Sequence, residues 1–198
     1  MAGYRRSPLT PFGNINDNSW YIRRSSDNSF LTRQYGKAGS YEFDAPEPAD
    51  YDGDGKTDLG LYALIDALGA GGSFKVWQSL DGTRYERAWG SNIDRIVPRD
   101  YDGDGKADLA TVRIEPRFSN NRIAFWQILQ SSDGATKQVQ FGLATDITVP
   151  ADYDGDRKTD IAVFRPSNGT WYLQQSKDGF AAYVFGLPDD VPVTALAR

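Results

Sequence analysis

Nine residues recur three times at nearly even intervals: Asp50-Tyr-Asp-Gly-Asp-Gly-Lys-Thr-Asp58, Asp100-Tyr-Asp-Gly-Asp-Gly-Lys-Ala-Asp108 and Asp152-Tyr-Asp-Gly-Asp-Arg-Lys-Thr-Asp160. Each run sets carboxylates at its positions 1, 3, 5 and 9, a crowding of like charge that is unfavourable unless a cation sits among the oxygens. A hard ion taking 6–8 oxygen ligands at about 2.3–2.6 Å suits a short loop wrapped around it, so calcium is the expected cofactor, with up to three ions. Magnesium, smaller and more firmly hydrated, fits an all-protein carboxylate cage less well. The expected ligands are Asp50, Asp52, Asp54 and Asp58, then Asp100, Asp102, Asp104 and Asp108, then Asp152, Asp154, Asp156 and Asp160. Lys56, Lys106 and Lys158 are expected to add a backbone carbonyl and to point their side chains to solvent. Gly55 and Gly105 permit a sharp turn at position 6, where the third loop has Arg157. That arginine must take a positive φ or distort the turn, so the third site is expected to be the weakest.

Position 12 of each run is Leu61, Thr111 or Val163, not the glutamate of an EF-hand loop. Short apolar runs of strand length follow instead: Leu59-Gly-Leu-Tyr62, Leu109-Ala-Thr-Val112 and Ile161-Ala-Val-Phe164. A further motif appears four times, as Ser19-Trp-Tyr-Ile, Ser73-Phe-Lys-Val, Phe125-Trp-Gln-Ile and Thr170-Trp-Tyr-Leu. Each copy leads to a turn and then to an aromatic-Gly pair at Tyr35-Gly36, Trp89-Gly90, Phe141-Gly142 or Phe185-Gly186. Period-two alternation puts Trp20/Ile22, Phe74/Val76, Trp126/Ile128 and Trp171/Leu173 on one apolar face that should pack against a neighbouring sheet. Tyr21/Arg23, Lys75/Trp77, Gln127/Leu129 and Tyr172/Gln174 form the opposite, mixed face.

Four-stranded sheets repeating every 40–50 residues are the signature of propeller blades. The expected fold is therefore all-β, a single β-propeller of four four-stranded blades over 1–198. Blade one takes 1–36 plus 188–198, blade two 37–90, blade three 91–142 and blade four 143–187. In this phase the C-terminal Asp190-Val-Pro-Val-Thr-Ala-Leu-Ala-Arg198 is an opening strand that closes blade one, and Leu196 stands where a loop aspartate would be.

The Asp-x-Asp-x-Asp-Gly-x-x-Asp loops, the aromatic-Gly pairs and the repeated four-stranded units together resemble the FG-GAP/VCBS repeat family, whose calcium-bearing blades also occur in integrin α-subunit propellers. The nine-residue pattern matches fully at Asp50–Asp58 and Asp100–Asp108, and at Asp152–Asp160 except for Arg157. Propellers of that family commonly have seven blades, so four leaves open a longer parent chain or a dimer closing a larger ring. The resemblance implies an extracellular, calcium-stabilised adhesion or ligand-binding module, secreted or held at a cell surface.

Charge and composition narrow the function classes. Of the 27 acidic residues, 12 lie in the three loops, leaving 15 against 18 basic residues elsewhere, so the net charge of −5 belongs to the loops. Nucleic acid is not an expected partner, and no apolar stretch is long enough to insert into a membrane. Met1-Ala-Gly-Tyr-Arg-Arg lacks the apolar core of a signal peptide, consistent with a processed chain or a segment of a longer one. The absence of His and Cys excludes Ser-His-Asp triads, cysteine nucleophiles and His-ligated metals. Glu42, Asp44, Glu47, Glu86, Asp94, Glu115 and Asp146 show no motif that marks a catalytic pair, so the chain is not expected to be an enzyme.

The expected partner is a glycan or a cell-surface protein. Candidate contact residues are the aromatics Tyr21, Trp77, Trp89 and Tyr172, which lie on the mixed face or at loop ends, and the blade-one arginines Arg23 and Arg24. Two alternatives stand beside this: a structural subunit or spacer of a surface assembly or filament formed by self-association, and an accessory or catalytic domain of a polysaccharide-active enzyme.

Overall fold

The computed structural model describes residues 2–5, 16–38, 44–64, 71–116, 122–188 and 190–193. Every regular element among them is a β-strand, and the strands form four antiparallel meanders. The first sheet holds β1 (Ala2–Arg5), β2 (Asn16–Arg23) and β3 (Phe30–Ala38); the second holds β4 (Ala45–Pro46), β5 (Leu59–Leu64), β6 (Gly72–Trp77) and β7 (Arg84–Ala88). The third is β8 (Arg95–Ile96), β9 (Leu109–Glu115), β10 (Ile123–Leu129) and β11 (Thr136–Leu143). The fourth is β12 (Ile147–Thr148), β13 (Ile161–Arg165), β14 (Thr170–Gln175) and β15 (Gly179–Val184). Two compact units result, 1–49 with 56–92 and 50–55 with 93–198.

Among the described residues the first sheet has three strands, and the fourth strand expected from the C-terminal residues is not seen among them. Residues 190–193 join no strand, and 194–198 lie outside the described residues. The opening strands β4, β8 and β12 are only two residues long and exist through pairing with the strand that follows, as in Ile147↔Phe164 and Thr148↔Val163. Residues 190–193 have no such following strand beside them among the described residues.

In the first unit, Trp20, Leu59 and Leu61 form a buried cluster, with Ile22, Tyr35 and Trp77 packed on it. The second unit buries Ala110, Val112, Trp126 and Ile128 of the third sheet against Ile161 and Val163 of the fourth. Trp20, Phe74, Val76, Trp126, Ile128 and Leu173 are all buried, as the period-two reading expects, whereas Ile22 and Trp171 are half-buried. Leu129, assigned to the mixed face, is buried too.

The aromatic-Gly pairs have two structural reasons. The indole N–H of Trp20 donates to the Tyr35 carbonyl (3.1 Å), that of Trp126 to Phe141 (2.9 Å) and that of Trp171 to Phe185 (2.8 Å), so the third strand's tryptophan is satisfied by the end of the fourth. The glycine that follows takes a positive φ, 96° at Gly142, where a Cβ would also stand 3.0 Å from Val163.

Candidate metal centres

The acidic loops join the opening strand of each four-stranded sheet to its second strand. Antiparallel bridges Ala49↔Asp58, Arg99↔Asp108 and Ala151↔Asp160 pin the loop ends. Within the second loop the Asp100 carboxylate accepts the N–H groups of Gly103 (2.6 Å) and Gly105 (2.9 Å). In the third loop Asp152 likewise accepts from Gly155 (2.6 Å) and Arg157 (2.9 Å). The first loop repeats this with Asp50 accepting from Gly53 (2.7 Å) and Gly55 (2.8 Å). The position-1 aspartate thus folds each loop onto itself before any ion is considered.

In the second unit these turns gather Asp100, Asp102 and Asp108, and separately Asp152, Asp154 and Asp160, each set offering oxygens within 4.8 Å of one another. Two oxygens bound to one calcium-sized ion stand at most about 5 Å apart, twice the usual metal–oxygen distance, so either set can be bridged by a single hard cation. The donors are all carboxylate oxygens, as such an ion prefers. In the first loop the matching positions are divided, Asp50 and Asp52 lying in one unit and Asp58 in the other.

The gathered set is positions 1, 3 and 9, without position 5. Asp104 accepts the Lys106 N–H on one oxygen (2.8 Å) and the Ser131 hydroxyl on the other (2.9 Å). Asp156 repeats both contacts with Lys158 and Ser176. Position 5 therefore ties the loop to the turn after the third strand. Ser132 supports this turn as well, donating to Asp102 at 2.6 Å. These serines were missed as site residues, although the repeated Gln-Ser step at 78–79, 130–131 and 175–176 carries the signal.

Of the position-7 lysines, Lys56 and Lys106 are exposed and Lys158 is half-buried. A Cβ built on Gly53 would lie 3.1 Å from the Lys106 stem, and one on Gly103 would lie 2.9 Å from Lys158. Lys106 and Lys158 therefore each lie across the preceding loop, where their methylenes cover backbone. Two backbone bonds fix the same stacking: Ala107 N–H to the Asp50 carbonyl and Thr159 N–H to the Asp100 carbonyl, both 2.7 Å.

Arg157 keeps the turn by accepting the cost, with φ at 73° against 89° for Gly105. Arg157→Gly is expected to raise stability by about 1 kcal/mol, since the left-handed region costs a side-chain-bearing residue about that much. Denaturant unfolding of both forms checks it, and a loss of stability on substitution would show that the arginine contributes more than its strain costs.

Position 9 is the most buried member of each set. Asp108 accepts the Ser131 N–H (2.7 Å) and the Tyr101 N–H (2.9 Å), and Asp160 accepts those of Ser176 and Tyr153 (both 2.8 Å). Asp58 takes the Ser79 N–H at 2.6 Å. Burial pushes the Asp108 carboxyl up to about 6; the two N–H groups pull against that shift and the Asp102 charge adds to it. Asp100 and Asp160 are raised as well, first by burial. Asp156 is held below its ordinary value by the Ser176 hydroxyl.

A raised folded value means that Asp108 stabilises the metal-free fold below its ordinary value of 3.8 and loses that contribution as pH rises through about 6. In chelator the melting temperature should therefore rise as pH falls from 7 towards 5. With divalent metal bound it should fall over the same range, because protons compete for the ligands. Parallel curves in the two media would overturn the assignment of these carboxylates as ligands.

The candidate ligand residues are dispersed. Tyr21 is 43% exposed, and Arg23 and Arg24 are exposed, Arg23 lying 5.8 Å from the Phe30 ring. Trp89 is half-buried, and its indole N–H is buried without a hydrogen-bond partner among the described residues. Tyr172 lies under the Arg165 guanidinium at 4.4 Å, and its hydroxyl accepts from Asn168, so it is already engaged. Trp77 is half-buried beside Tyr35, the two rings meeting edge to face at 5.6 Å.

A second family of acidic residues has an evident structural role. Asp146 and Asp94, with fully buried side chains, pair with Arg165 and Arg113 through two 2.9 Å bonds each. Asp44 is buried as well and faces Lys75 at 3.7 Å. These acids follow the aromatic-Gly step, and Glu86 takes the Ser73 hydroxyl. In comparisons with known proteins no family model matches the chain, and neither the curated proteins nor the solved structures give a match.

Proposed function

We propose that this chain is a calcium-stabilised β-propeller module of the FG-GAP/VCBS type, acting outside the cell in recognition or adhesion, with carbohydrate as its ligand and without catalysis. The observation that carries the reading is the repeated gathering of three aspartates at the same loop positions, between strands of equal register. Calcium is the ion proposed because the sites are anionic, oxygen-only and built by short loops that hold no thiol or imidazole. Its role is structural: it neutralises crowded carboxylates at the turns that lead into the sheet centres. The four sheets are read as blades, with the C-terminal residues completing the first. Half-exposed and exposed aromatics at Tyr21 and Trp89 supply flat surfaces for sugar rings, and repeated weak sites combine by avidity.

An immobilised-glycan screen in calcium and again in chelator tests the proposal. Calcium-dependent binding to a related set of sugars is the expected result. Silence from folded protein removes the carbohydrate reading and favours self-assembly, the second reading. That reading draws support from the exposed apolar residues of the fourth sheet's edge, Val184, Phe185 and Leu187, which are 81%, 75% and 68% exposed.

A further inference from the structure

The seam between the first and second sheets carries side chains that the repeat does not require. Trp77 ends β6 and pairs with Arg84 across the β6–β7 ladder. The Arg84 guanidinium stands 3.7 Å from the centroid of the Trp77 ring and 5.6 Å from that of Tyr35. From the first sheet, Arg33 reaches within 5.9 Å of the same tryptophan, with one of its donors on the Thr32 carbonyl. Neither arginine forms an ion pair with a carboxylate among the described residues, and both are exposed. Trp77 in turn is anchored in the buried cluster of Trp20, Leu59 and Leu61.

The seam between the third and fourth sheets serves as an internal control. By register, Arg33 corresponds to Val139, each lying opposite the buried tryptophan of its own sheet, and Tyr35 corresponds to Phe141. Trp77 corresponds to Gln174 and Arg84 to Phe180, which meets Phe141 edge to face at 6.4 Å. The same position is therefore closed there by uncharged side chains. Packing alone does not call for two arginines around a tryptophan.

We infer that Arg84 and Arg33, arranged on Trp77 and Tyr35, form a binding site for an oxyanion, the carboxylate or sulfate of an acidic polysaccharide. A guanidinium stacked on an aromatic face is held in one plane while its in-plane N–H groups stay available, the arrangement that grips a planar or tetrahedral oxyanion in paired fashion. The ordering is complete before the ligand arrives, so less conformational freedom is lost on binding. Glu86, two residues along β7 from Arg84, is the acid on that strand; it acts on the Tyr35 hydroxyl, whose pKa burial pushes up to about 12. The inference rests on the carbohydrate reading above and gives it a ligand class.

The test measures binding at saturating calcium to short oligogalacturonides, free and methyl-esterified, and to dextran sulfate beside dextran. Binding of the free acid or the sulfate at least about ten-fold tighter than its uncharged counterpart is expected, and which of the two binds names the anion. Arg84→Gln should lose about ten-fold or more. Arg84→Lys should also weaken binding several-fold, because an ammonium cannot make the paired contact. Glu86→Gln should tighten it, and Lys137→Gln, on the exposed face of β11, should change it less than about two-fold. Equal affinity for acid and ester overturns the oxyanion site and leaves the carbohydrate reading standing. Equal losses from Arg84→Gln and Lys137→Gln reduce it to diffuse attraction and overturn it as well. Failure of all four polymers, alongside binding to other sugars in the screen, removes this site alone. Melting temperatures of the variants confirm that each is folded.

Discussion

Asp108→Ala is expected to cost about 3 kcal/mol in chelator, a fall of about 6–12 °C in melting temperature for a chain of this size, and more than that in calcium, where the ion of its site is lost too. The carboxylate takes the N–H groups of Ser131 and Tyr101 from two different segments, and Tyr101 is itself buried with its hydroxyl on the Val97 carbonyl. Without the acceptor, the buried Tyr101 N–H and the part-buried Ser131 N–H both lose their partner. Asp102→Ala contrasts with it. Among the described residues Asp102 accepts the Asp104 N–H and the Ser132 hydroxyl, both in exposed surroundings, so its loss should be small in chelator. In calcium at about 100 times the dissociation constant, a bound ion contributes about 2.7 kcal/mol, and Asp102→Ala should remove most of that for its site. Thermal unfolding of both variants in both media separates the roles. If Asp108→Ala lost stability only in calcium, its carboxylate would be a ligand and nothing more.

The difference between those aspartates shows where the sequence was readable and where it was not. Negative charge at fixed spacing is visible without coordinates, and so is the period-two alternation that puts Trp126 and Ile128 on a buried face. The strand expected at Thr170–Gln175 is β14 as observed. Which hydrogen-bond partners each position-5 carboxylate takes is not visible in a run of acids. That is decided by Ser131 and Ser176, twenty or more residues along the chain from the aspartates they meet, in a turn whose own sequence signals only a reversal. Closure of the first sheet was inferred from phase alone, whereas a two-residue strand depends on its partner. The structural role of Asp94 and Asp146 was not legible, because their arginine partners lie 19 residues downstream.

That 19-residue relation leads to the second large effect. Arg165→Met should destabilise the protein by about 3–5 kcal/mol, because it leaves the Asp146 carboxylate buried without a counter-charge. Asp146 does more than pair with arginine. Its Oδ2 accepts the Leu143 N–H at 2.8 Å, while Arg95 holds the carbonyls of Asp146 and Ala144 at 2.6 and 2.7 Å, so the turn into β12 depends on the carboxylate being in place. The second sheet supplies a natural comparison. There the residue 19 positions after Asp44 is Ala63, and Lys75 approaches the acid at only 3.7 Å. A single-point ammonium takes the place of a two-bond guanidinium. Ala63→Arg does not follow as a simple repair, because Ala63 is fully buried with no space assigned to a long side chain. The informative variant is the double change Arg165→Met/Asp146→Asn, which removes both charges and keeps an acceptor for Leu143. If the cost of the single change is mainly the stranded carboxylate, the double variant should recover more than half of the loss in a urea-unfolding cycle. A double variant no more stable than Arg165→Met would instead place the cost in lost packing of the guanidinium on the Tyr172 ring.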